Sequence, residues 1–247
     1  QNGGGWIYFN NRRAPFDDVR AREAIYRSID RQRLAEIMQG APEAHAVQTL
    51  FLPGSAFHEP GLTFPATDRA RAQELFVELA AEGKPVDFVF VNISSNDVNT
   101  RAAQYIQSQL RDLRNVTVRI DNIDVTAARE RVFLRHDYDM SPYPGAYRFP
   151  DPEPGLVNLL HSNGSFNTTG YSSPEVDAAL IAARSTTDTA GRATHYRAVQ
   201  ERFMADLPGL FTFAPTVTTI MSREVTGLAY TSRSLLRWDR IGFRPGA

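Results

Sequence analysis

A mixed α/β fold follows from three features of the sequence. Short strand-like runs fall at residues 6–9, 86–91, 116–120 and 138–143, the second alternating Val86, Phe88 and Phe90 with Asp87, Val89 and Val91. Apolar stripes of helical spacing fill the stretches between the last three. The resulting strand–helix–strand–helix–strand order argues for a sheet layer covered by helices. The chain has 247 residues, 42% hydrophobic and 22% charged, which suffices for one large domain with a well-filled core.

Taken in order, residues 6–9 form the first strand. Asp17 or Asp18 caps a helix to about residue 29, in which Ala24, Ile25 and Ile29 share a face. Asp30 opens a second helix that Gly40 stops. Residues 41–65, rich in Pro and Gly, read as ordered loop. Asp68 caps the helix carrying Ala72, Leu75, Phe76 and Leu79, and Gly83 ends it. Asn99 is expected to cap a helix to about residue 113, and residues 126–135 read as another. Residues 144–173 read as a long loop. Ser173, with Pro174 at the first helical position, caps the next helix, and Asp188 caps the last long one. Residues 210–213 and 217–221 read as strands. The tail, 232–247, is basic and irregular.

Composition excludes several functions. The formal net charge of −1 offers no basic face to nucleic acid. No apolar run approaches the roughly 18 residues that span a bilayer. Cysteine is absent, and with it disulfides, thiol nucleophiles and thiolate metal sites. The chain opens Gln1-Asn2-Gly3-Gly4-Gly5 with no basic, apolar leader, and so reads as a mature product or an excised piece, its glycines as a linker. Asp17, Asp18, Arg20 and Arg22 read as helix cap and packing rather than a catalytic cluster. His136-Asp137-Tyr138-Asp139 carries metal-capable groups, but neighbours on a strand point to opposite faces. The other histidines, His45, His58, His161 and His195, have no ligand spacing. Nucleophile-elbow and phosphate-loop motifs do not occur.

One stretch is distinctive: Phe9-Asn10-Asn11-Arg12-Arg13-Ala14-Pro15-Phe16-Asp17-Asp18-Val19-Arg20-Ala21-Arg22-Glu23-Ala24-Ile25, followed by Ile29-Asp30-Arg31 and Gly40. It resembles the hallmark segment of the family 5 extracellular solute-binding proteins. Later pieces resemble the same family in the same order: Tyr138-Asp139-Met140, Asp151-Pro152, Asn167-Thr168-Thr169-Gly170-Tyr171 through Pro174 to Asp177, then Asp188, Arg192, Tyr196, Gln200 and Asp206 with Pro208. The resemblance covers nearly the whole chain. It implies the large, C-terminal lobe of a type II periplasmic-binding-protein fold, a mixed β-sheet flanked by helices, with residues 1–231 as the lobe and 232–247 returning toward a missing N-terminal lobe. It further implies a monomeric, periplasmic or lipid-anchored component of an ABC importer that hands a peptide or similar small polar solute to a membrane permease, with no cofactor and no chemistry on the ligand. A sensor or chaperone-like binding protein of the same fold, and a hydrolase, are the alternatives.

The resemblance also places the ligand wall after the 138–143 strand and around residues 167–171. The expected wall is Tyr143, Tyr147, Arg148, Asp151, Phe166, Asn167 and Tyr171: rigid aromatic faces, one fork-shaped cation and polar anchors. Peptide binders of the family usually carry an Asp where this chain has Arg148. A cation there repels an ammonium and attracts an anion. Either Asp151 or Glu153 takes over the amine, or the ligand is not an ordinary free-amine peptide.

Overall fold

The computed structural model describes residues 2–40, 45–142, 147–149, 151–214, 219–231 and 235–244. Strand β1 (Asn2–Gly4) leads into β2 (Trp6–Phe9). Helices α1 (Val19–Ser28), α2 (Arg31–Gln39) and α3 (Arg69–Ala81) follow. Then come β3 (Val86–Ile93), α4 (Asp97–Leu110), β4 (Val116–Ile123) and α5 (Val125–Ala128), the last running into a π-helix (Arg129–Leu134). Strands β5 (Met140–Ser141) and β6 (Tyr147–Phe149), helices α6 (Gly155–Leu160), α7 (Pro174–Ser185) and α8 (Thr189–Asp206), and β7 (Gly209–Phe211) complete the main body. Beyond it, β8 (Val225–Thr226) and β9 (Gly242–Phe243) form a separate antiparallel ribbon.

The main sheet has the order β4-β3-β5-β2-β7. Strands β4, β3 and β5 run parallel, and β2 is antiparallel to both β5 and β7. The sheet is therefore mixed and has two distinct ends. The upper end carries the carboxyl ends of β3, β4, β5 and β7 and the start of β2. The lower end carries Phe9, Val86, Val116 and Gly209.

The caps follow from short polar side chains at the expected places. Asp18, Asp30, Asp68, Ser173 and Asp188 each accept a bond from a backbone N–H in the first turn, and Gly40 closes α2 at φ 66°. The core joins the sheet to its helices: the Trp6 ring lies 4.8 Å from Tyr8 and 5.0 Å from Phe211, and Phe203 of α8 lies 5.5 Å from Phe211.

Several expectations need correction. Helix α4 begins a turn before Asn99, because Asn96 is the residue whose side chain accepts the Asn99 N–H, at 3.1 Å. Residues 126–135 are not one α-helix: the Arg135 N–H reaches the Glu130 carbonyl, a five-residue step. Among the described residues of the run 138–143, ladder pairs form only at Met140 and Ser141. The stretch 144–173 holds β6 and α6. Gly3 and Gly4 lie in a strand, paired with Arg148 and Tyr147, rather than in a linker. Residues 219–221, the described part of the expected 217–221 strand, are not in a strand.

Candidate functional site

At the upper end the chain enters and leaves the main sheet side by side. The Gly5 N–H donates to the Phe213 carbonyl at 2.8 Å, and the Gly5 carbonyl accepts from the Thr212 N–H and hydroxyl, both at 2.9 Å. A Cβ on Gly5 would fall 2.2 Å from the Phe213 ring, so this crossing needs glycine. Just before it, β1 pairs antiparallel with β6 in the register Asn2–Phe149, Gly3–Arg148 and Gly4–Tyr147. Glycines opposite Arg148 and Tyr147 leave that side of the ribbon bare of side chains. The backbone thus fixes Tyr147 and Arg148 at the upper end; Tyr143 lies outside the described residues.

Asp151 stands at the same end. Arg192 donates to it through two nitrogens, at 2.7 and 3.1 Å, and these bonds hold its carboxyl below the usual carboxylate range. The Arg192 guanidinium in turn lies 5.3 Å from the centre of the Phe57 ring and 5.5 Å from that of Tyr196.

The rest of the expected wall is elsewhere. Asn167 is buried, and its side-chain amide donates to the carbonyls of His161 at 3.0 Å and Tyr171 at 2.7 Å, while its oxygen accepts from the Thr169 hydroxyl. Tyr171 is 4% exposed and donates its hydroxyl to Asp206 at 2.6 Å. Phe166 is 45% exposed, its ring 6.0 Å from Phe133 of the π-helix. This loop is tied to the lower end: Asn11 N–H donates to Thr169 O, and Arg12 and Tyr138 both donate to Thr168 O. Between Arg192, which holds Asp151, and Asp206, which holds Tyr171, lie about 21 Å of α8 at 1.5 Å per residue. The seven residues are not one wall: Tyr147, Arg148 and Asp151 share the upper end, and Phe166, Asn167 and Tyr171 lie toward the lower.

Sequence reasoning missed a residue of the upper end. Asn92, near the carboxyl end of β3, is fully buried, and its amide donates to the Thr100 hydroxyl and the Asn122 side chain. Its oxygen has no partner among the described residues. An asparagine near the end of the otherwise apolar run from Phe88 to Ile93 was the available signal.

The family description for bacterial extracellular solute-binding proteins, family 5, middle region, matches residues 1–167. The chain belongs to this family. It is similar to the oligopeptide-binding protein OppA of Bacillus subtilis, 25% identical over 90% of this chain and 42% of OppA, and to the glutathione-binding protein GsiB of Pectobacterium atrosepticum, 26% identical over 95% of this chain and 46% of GsiB. In structure it is similar to a dipeptide-binding protein of a Pseudoalteromonas species solved with Met-Leu, at TM-score 0.79 and 22% identity, covering 98% of this chain and 48% of that one. It is equally similar to the oligopeptide-binding protein AppA of Bacillus subtilis solved with a nonapeptide, at TM-score 0.79 and 18% identity, covering 98% and 51%. The fold is that of family 5 binding proteins, and the chain spans about half the length of the relatives it matches. Among the described residues no helix is long and apolar enough to cross a membrane.

Proposed function

We propose that this chain is one lobe of the binding component of an ABC-type importer, and that its upper end is its wall of an interlobe cleft. The carrying observation is that the entering strand at Gly5 and the leaving strand at Thr212–Phe213 are bonded together at the end that holds β6 and the carboxyl ends of the parallel strands. A second lobe joined through this pair would close over that end, where open α/β sheets receive their ligands. The wall comprises Tyr143, Tyr147, Arg148 and Asp151. The relatives named for oligopeptides, dipeptides and glutathione support a peptide or similar small polar solute. The function is binding, without chemistry on the ligand, outside the cytoplasm and with a membrane permease as acceptor.

Arg148 sets the ligand's charge: it receives a carboxylate. Asp151, engaged by Arg192, is not free to anchor an amine. The test is to express the protein at the length of its relatives, purify it natively and weigh any retained ligand by mass spectrometry. Carboxylate-bearing solutes, with affinity falling at least tenfold in Arg148→Ala, are the expected result. Turnover of the ligand, or affinity unchanged in Arg148→Ala, would overturn respectively the binding-only reading and the anchor.

A further inference from the structure

Between the start of α6 and the turn joining α7 to α8 lies a cavity of about 530 Å³, lined by Asp151, Glu153, Arg184, Thr186, Thr187 and Arg192 among others. That volume falls in the range of about 300–1,000 Å³ typical of small-molecule sites. Its charges sort into two classes. Asp151 and Arg192 neutralise each other. Glu153 and Arg184 form no ion pair, with each other or with any other described residue. The Glu153 carboxyl is shielded enough that burial raises it above the usual range, and Arg184 is near enough to act on it in the opposite sense. One Glu153 oxygen, Oε1, is sealed from solvent without a hydrogen-bond partner among the described residues.

A buried acceptor left unpaired is unfavourable, and a turn of the half-buried carboxyl toward a ligand donor in the cavity would remove that penalty. The carbonyl end of α7 lies beside the cavity and favours a positive group there. Arg184, exposed at the mouth, presents a planar fork suited to a carboxylate. One free anion and one free cation across a cavity of no net charge complement a molecule bearing both charges.

We propose that this cavity binds an α-amino-acid zwitterion, with its ammonium on Glu153, its carboxylate on Arg184 and its side chain toward the open mouth. Glu153 and Arg184, which hold the ligand here, are not among the cleft-wall residues and both belong to this chain, so this site needs no second lobe; Asp151, which also lines the cavity, is engaged by Arg192.

The probe is glycine, titrated against the isotope-labelled chain and followed by NMR at the Thr186 and Thr187 amides. Methylamine and acetate serve as the two half-ligands. Saturable shifts are expected with glycine, and binding at least tenfold weaker for either half-ligand. Glu153→Gln, nearly identical in shape, should weaken glycine at least tenfold and leave acetate unchanged. Arg184→Gln, at the exposed rim, should do the converse with methylamine. A thermal melt confirms that each variant is folded. Glycine binding no tighter than acetate would make this an anion site and sink the proposal. So would glycine binding that neither variant alters.

Discussion

Asn167 and Tyr171 show how a residue type suited to ligand binding can instead be consumed by the fold. The Asn167 side chain serves two carbonyls and one hydroxyl, all within its own loop and the end of α6. Asn167→Ala leaves these groups unpaired in a buried place and should cost about 2–3 kcal/mol, read as a lower urea midpoint with an unchanged slope; a loss of ligand affinity at unaltered stability would instead put Asn167 on the ligand. The buried tyrosines supply a pH dependence. Burial pushes the hydroxyls of Tyr26, Tyr138 and Tyr171 well above their usual value, so the folded state keeps protons that the unfolded state releases near pH 10. Because the folded pKa is the raised one, this stabilisation is complete below about pH 10 and is lost as pH rises beyond it. The tyrosinate absorbance of these buried residues should appear together with the loss of helical circular dichroism, and the slope of stability against pH should flatten in Tyr138→Phe. The residue types of the wall were legible in the sequence, but their grouping was not. Asp151 and Tyr171 are near in sequence and lie toward opposite ends of α8.

At the scale of elements, the boundary between β2 and β7 is set by a glycine. A Cβ on Gly209 would fall 1.7 Å from Nε1 of Trp6, which is buried and without a partner among the described residues. Gly209→Ala therefore forces the indole out of its place among Tyr8, Phe203 and Phe211, and a loss of about 2–3 kcal/mol is expected; denaturant unfolding followed by the emission of Trp6 measures it. Most helices were legible because caps and stripes are local signals. Asp18, Asp68, Ser173 and Asp188 each act on the first turn that follows them. The elements that escaped are those decided at a distance. Strand β6 is three residues long, too short for periodicity, and exists because β1, far away in sequence, lies beside it. The π-helix differs from an α-helix by one residue in its hydrogen-bond step, and the apolar pattern of residues 126–135 fits both.

The whole molecule divides unevenly. The main body closes around one core, whereas none of the described residues from 219 to 244 is buried. Ile220, Leu235, Trp238 and Phe243 are 95%, 64%, 74% and 78% exposed, and the hydrogen bonds of Arg237 and Arg244 to backbone carbonyls close within the segment, on Ala229 and Glu224. Large apolar side chains held in water mark a surface that another body covers. Relatives of about twice this length supply a candidate: the other lobe, on which this segment would pack as the chain returns from the sheet. The chain has two tryptophans, Trp6 at 1% exposure and Trp238 at 74%, which makes the test direct. In this chain iodide should quench Trp238 and spare Trp6, so Trp238→Phe should remove nearly all quenching. In the protein at the length of its relatives, Trp238 should become as protected as Trp6 and its emission should shift to the blue. If it stays equally accessible there, the segment does not dock on the other lobe, and its apolar face must meet a separate molecule.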